Sequence, residues 1–401
     1  LQTPMTAAAP AALLAALLAL PWAASAQEER PQPGETAEPV WEVRAASLAR
    51  WQSAVSREDG IDGLARLYVD LLLETDPVNG MLFGIHGKGD DPAYYDDRLP
   101  DASGTGWANR KLGHAVMRDR LRAIDPVALS PEDQVDFRIL EHQVALRMLQ
   151  MSELQAHWDP LTYVSGRGSA FAGLGTAFSR LLLRDYAPLD QRLRSFGRRC
   201  EAAPRYLFDA RVVLENEERV RPTAVSKEVS IARLKGMTGE NGIFRQSLPE
   251  LLETAALGEE EKAAISASCD EAVAAIDRFA RWLESSVLPR PDGEWRLGAR
   301  LYARKYALYM DYPLGPAELL AAAEEALDET GAAIAATGRE IHDGYLADAI
   351  EAGEIKPAAE LDDQAVVRNV FARVAEDRST PDTLIADSYA NRVGQGTHRA
   401  I

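Results

Sequence analysis

The stretch Leu288–Leu320, LPRPDGEWRLGARLYARKYALYMDYPLGPAELL, sets two clusters of turn residues between three helical patterns. Upstream of it, Ile265, Cys269, Val273, Ile276, Ala280, Leu283 and Val287 recur at three- and four-residue steps, one apolar stripe along a helix. Pro289 and Pro291 stop that helix. After the Pro-Asp-Gly turn a second helix is expected, with Tyr302, Tyr306 and Tyr309 on one face and Arg300 and Arg304 on another. Pro313, Gly315 and Pro316 end it and open a third, from Ala317 to about Ile341.

Working outward, the same periodicity dominates the chain. Leu193, Phe196, Cys200, Ala203, Leu207, Ala210 and Leu214 step by three and four, with Pro204 expected to kink or bound the helix. Ser130-Pro131-Glu132-Asp133 is a helix start, combining a side-chain cap, a proline where no amide partner is needed, and acids in the positive first turn. The helix it opens is expected to bury Val135, Ile139, Leu146 and Leu149, with His142 on the same stripe as a core histidine rather than a ligand. Ile61–Glu74 is a short apolar helix closed by Asp76-Pro77. Pro222-Thr223 opens another, Lys235-Gly236 closes it, and Leu257-Gly258 separates two more. No run alternates as a strand would. The expected fold class is therefore all-α, an elongated multi-helix bundle.

Two loops carry candidate chemistry. Asn79–Asp101 holds Asp90, Asp91, Asp96 and Asp97, but lacks the alternating acids of a calcium loop and is expected to be a solvated connection. Trp158–Gly175 contains Gly166, Gly168, Gly173 and Gly175 without a phosphate-loop spacing, and reads as a flexible aromatic loop.

Composition bounds function. Of 401 residues, 46% are hydrophobic and 26% charged, enough to bury a large core. The net charge of -18 opposes binding to nucleic acid or anionic membrane, since either needs a concentrated basic surface. Residues 1–26 read as a signal peptide: Ala11–Leu20 is an apolar run too short to span a bilayer, followed by Ala24-Ser25-Ala26. No Lys or Arg precedes that run, and the chain opens on Leu1 with a Met at position 5. Residues 27–40 are expected to be a disordered lead-in, 41–376 a helical domain, and 377–401 a polar tail. A periplasmic or secreted product is expected. Cys200 and Cys269 each sit on an apolar stripe and are expected to be free buried thiols.

Four segments taken in order carry a resemblance: ETDPVNGMLFGIHGKGD with DDRLPDAS, LSPEDQVDFRILEHQV, QRLRSFGRRCEAAPRYLFDARVVLENE, and LGARLYARKYALYMDYPLGPAELL. The chain from about residue 60 to 340 resembles the N-terminal portion of the family numbered 885 among the bacterial domains of unknown function. The resemblance implies a helical, often exported protein similar to zinc metallopeptidases. Its zinc signature, His-Glu-x-x-Pro-Gly-His with a further Glu on a later helix, belongs to the C-terminal half. There two histidines bind zinc, the Glu activates the metal-bound water, and the metal polarises the scissile carbonyl. None of the six histidines here, His86, His114, His142, His157, His342 and His398, is followed by Glu.

The expectation is an N-terminal helical half whose zinc resides elsewhere, with no catalytic or metal-binding residue of its own and a peptide or other small substrate. The alternative is a non-enzymatic helical binding or scaffold protein of the periplasm. A hydrolase of another class finds no support, since no Gly-x-Ser-x-Gly elbow occurs. Gly298 and Tyr302 match the family's Gly, three residues, Tyr pattern, although Arg300 stands where the family has an acid. Tyr302 is the candidate to bond a substrate carbonyl, and Arg304 and Lys305 the candidates to meet a carboxylate.

Overall fold

The computed structural model describes residues 45–57, 60–165, 172–376, 379–380 and 382–385. The expected signal peptide, the lead-in and most of the polar tail lie outside the described residues, as do Gly166 and Gly168. What is described is all-α, with no strand among the described residues and a single isolated bridge, Lys88 with Asp91.

The chain begins with α1 (Ala45–Ser56), α2 (Ile61–Thr75), the short α3 (Asn79–Phe83), α4 (Gly104–Arg122) and α5 (Pro131–Met148). Ser103 and Ser130 cap α4 and α5 through their hydroxyls, accepting from Gly106 N and Asp133 N at 3.1 Å each. Together α1, α2, α4 and α5 close over Trp51, Leu64, Tyr68, Leu71, Met117, Phe137, Leu140 and Val144. The expected stripe of α5 is corrected here: Val135 and Ile139 are 56% exposed, and Phe137, Leu140 and Val144 face the core instead. Apolar residues lie on two sides of this helix, so spacing alone did not choose between them. One π-helical turn, Leu149–Glu153, continues α5.

The second core is built by α6 (Pro160–Val164), α7 (Leu174–Leu183), α8 (Leu189–Leu214), α9 (Ala224–Thr238), α10 (Leu248–Thr254) and α11 (Glu259–Trp282). All seven stripe positions of α8 are buried. Pro204 neither breaks nor bounds α8, which runs through it, and α9 continues past Lys235-Gly236 to Thr238. The central pairing is α8 with α11, two helices running in the same direction. Arg194 meets Glu261, Gly197 lies against Ile265, and Arg211 stacks over Trp282. Between these contacts Cys200 is joined to Cys269 by a disulfide, which corrects the expectation of two free thiols. The parallel register brings the two cysteines to the same level of adjoining helices, an arrangement neither stripe encodes by itself.

The chain ends with α12 (Gly298–Met310), α13 (Pro316–Tyr345), α14 (Ala347–Glu351) and α15 (Asp363–Glu376). Here α13 packs on α15 through Gly338, His342, Val366 and Val370. No helix among the described residues is long and apolar enough to cross a membrane.

Candidate functional site

The turn that precedes α12 is anchored to the body. Gly293 N donates to Pro222 O at 3.0 Å, and the buried Lys227 donates to Leu288 O and Arg290 O at 3.1 and 2.8 Å while pairing with Asp292 at 2.6 Å. Gly298 then opens the helix at φ +72°, a conformation glycine adopts without the steric cost a side chain carries. From there α12 lies along the end of α5. Tyr309 OH accepts from the Gln150 amide at 2.9 Å, Arg304 pairs with Glu153 at 2.7 Å, and Asp311 stands 3.9 Å from His142 Nδ1. Both Gln150 and Glu153 belong to the π-helical turn, whose altered step is a feature frequent at functional sites.

No residue of α12 is buried. Tyr302 is 51% exposed, with its ring 6.3 Å from that of Tyr306 and its hydroxyl bonded to nothing among the described residues. The other two candidates are already engaged. Arg304 is held by Glu153, and the Lys305 ammonium lies 5.2 Å above the Tyr309 ring. The three therefore share one helix without converging on a point. Tyr302 is presented to solvent, while Arg304 and Lys305 brace the helix.

The interior of the protein holds a polar cluster. Trp107 Nε1 donates to Tyr163 OH at 3.0 Å, Tyr163 OH donates to His157 O at 2.8 Å, and Tyr206 OH donates to Tyr163 O at 2.9 Å. Burial pushes both phenols up and the His157 imidazole down to about 3. His114, bonded through Nδ1 to Arg110 O at 2.9 Å, is likewise held down to about 3 by burial. Asp76 takes Ala172 N at 2.6 Å on one oxygen, and its other oxygen has no hydrogen-bond partner among the described residues. Burial raises its carboxyl despite the opposing charge of Arg110. The Tyr163 and Tyr206 phenols and the His114 imidazole face backbone carbonyls, the pattern of a structural scaffold.

The Asn79–Asp101 segment, expected to be a solvated connection, is exposed over much of its length but anchored at Asp96 and Asp97. Asp96 is 1% exposed and accepts from Tyr186 OH at 2.9 Å and from His86 Nδ1 at 3.0 Å, with the His86 and Tyr186 rings stacked at 4.0 Å. Asp97 accepts from Ser195 OH at 2.6 Å. The fully buried Arg199 reaches Met81 Sδ at 3.8 Å and Tyr95 O at 3.3 Å. Its guanidinium is lowered by burial to about 10. These contacts lock the loop onto α8. Spacing in the sequence gave no sign of them, because the partners lie about one hundred residues apart. Asp90 and Asp91 are exposed, as a solvated loop requires. Trp158–Gly175 is likewise not all loop, since Asp159 caps α6 and α7 begins at Leu174.

Among the described residues no three His, Cys, Asp or Glu side chains stand close enough to share a metal ion. The described residues therefore offer no donor set that fits the zinc the resemblance implies.

Residues 77–390 match the family described as bacterial protein of unknown function (DUF885). The chain is a DUF885 protein. Its helices are similar to a solved structure of a candidate lipoprotein of unknown function from Shewanella oneidensis, at 18% identity and a TM-score of 0.64. That match covers 82% of this DUF885 chain and 55% of the Shewanella chain, so the present chain spans about half the length of the neighbour it matches. At this identity the likeness shows the fold alone. No curated protein matches the chain.

Proposed function

We propose that the chain is the helical, metal-free portion of an exported metallopeptidase-like protein, with α12 as one wall of its peptide-binding cleft. The observation that carries this reading is α12 itself. It buries none of its own residues, yet Gln150, Glu153 and Asp311 contacts fix it in place. An immobilised aromatic face left open to solvent is a surface prepared for something to lie against it. In this reading Tyr302 donates to a substrate backbone carbonyl. Arg304 and Lys305 hold the positive side of the wall, where a substrate carboxylate is drawn in once it competes with Glu153. Zinc and the hydrolysis it would carry belong to polypeptide beyond the described helices. Two observations support export: the Cys200–Cys269 bridge, a linkage that persists in oxidising compartments, and the likeness to a candidate lipoprotein.

The second reading, a non-enzymatic helical binding protein of the periplasm, is favoured by a groove of about 400 Å³ between α13 and α15, lined by Ile334, Ile341, Val367, Phe371 and Val374. Titrating capped and uncapped tetrapeptides against the chain, followed by calorimetry, separates the two. The cleft-wall reading expects binding that Tyr302→Phe weakens about fivefold, the worth of one hydrogen bond near ~1 kcal/mol. Binding indifferent to Tyr302, or quenched instead by substitutions in the groove, favours the second reading.

A further inference from the structure

From Leu320 to Ile334 every residue of α13 is exposed. A helical segment with so little packed against it draws little stability from tertiary contacts. Its sequence is nevertheless not that of a solvated helix. Leu320, Leu327, Ile334 and Ile341 recur at seven-residue steps and are 60%, 71%, 41% and 42% exposed. One large apolar residue per heptad, with small residues such as Thr330, Gly331 and Thr337 between, lays a narrow ridge along the helix that another helix can pack against at a shallow crossing angle. Small residues flank the stripe, among them Ala323, Thr330, Gly331 and Ala333, and a Cβ built on Gly331 would meet nothing within 4 Å. The partner backbone can therefore approach closely. At its lower end the stripe runs into the apolar groove shared with α15.

Charge identifies the partner further. From Pro316 to Ile341 the helix carries Glu318, Glu324, Glu325, Asp328, Glu329 and Glu340 against one base, Arg339, which Asp363 of α15 holds at 2.6 Å. By helical position Glu324 and Asp328 lie along one border of the stripe. Pairing the stripe with itself in a second copy would bring these carboxylates together in two molecules that each carry -18. A helix bearing Lys or Arg beside its own apolar repeat meets the opposite sign.

We infer that the Leu320–Ile341 stripe is the docking surface for a basic amphipathic helix. Its source is the polypeptide by which longer members of the fold, such as the Shewanella neighbour, exceed this chain. This rests on the reading of the chain as part of a longer protein, but not on any peptidase chemistry.

The test uses two labelled synthetic helices of about three heptads with identical Leu repeats, flanked by Lys in one and Glu in the other. Fluorescence anisotropy measures their binding to the purified chain, and sedimentation measures the chain alone. The Lys peptide binds at least about tenfold more tightly than the Glu peptide, and the difference shrinks as salt is raised. Leu327→Asp with Ile334→Asp, both at exposed positions, abolishes binding while the circular dichroism of the chain is retained. Equal binding of the two peptides overturns the inference, as does binding of neither. A chain that sediments as a dimer split by Leu327→Asp also overturns it, because a second copy then covers the stripe. Tetrapeptide binding at Tyr302 is unaffected by the two Asp substitutions, so failure of the docking surface and failure of the cleft wall are read separately.

Discussion

The two most perturbed histidines, His114 and His157, lie in the interior rather than on the candidate wall. Both are held neutral, with folded values near 3 against 6.5 for a free imidazole. A depressed histidine takes up its proton more readily in the unfolded chain, so stability falls as pH drops below about 6.5. Asp76 and Asp159 are raised by burial and act with the opposite sign, gaining stability as the pH falls through their raised folded values. The histidine contribution falls mainly in the interval from pH 7 to pH 5, and substitution of a single histidine separates it from the carboxyls. Urea denaturation is expected to show a loss of about 2 kcal/mol per buried histidine across that interval. His114→Asn removes about half of that slope, and a stability independent of pH in this range contradicts the buried, neutral assignment.

At the scale of elements, the α8–α11 pair holds the larger core together. The disulfide closes a loop with a sequence separation of 69, which restricts the unfolded chain considerably. Replacing both cysteines by Ala is expected to cost about 2 to 4 kcal/mol in urea unfolding, and thiol titration of the denatured wild-type chain to find no free sulfhydryl. An unchanged midpoint would mean that the bridge adds nothing. The helices themselves were legible in the sequence, because the stripes of α8 and α11 and the Ser130 cap depend on neighbours three or four residues apart. The bridge was not, because it depends on the parallel register of two helices whose connection runs through α9 and α10. Nor was the burial of Asp96, whose partner Tyr186 comes from another part of the chain. For the site, the sequence placed Tyr302, Arg304 and Lys305 on one helix, but not Glu153 and the Tyr309 ring that occupy two of them.

Over the whole molecule, burial is uneven. The first part of the chain, through α11, closes two apolar cores. By contrast α12 buries no residue, and α13 buries only Gly338 and His342. A protein with a net charge of -18 that leaves Leu320, Leu327, Tyr302 and Tyr312 open concentrates its unsatisfied apolar surface at one end of the sequence. We propose that this surface serves as a binding wall at α12 and a docking stripe on α13, without a metal centre of its own. The most direct test is to load the purified 401-residue chain with zinc, dialyse it, and assay both bound metal and peptide cleavage with and without chelator. The account predicts no stoichiometric zinc and no cleavage, while stoichiometric, tightly held zinc with chelator-sensitive hydrolysis would contradict it.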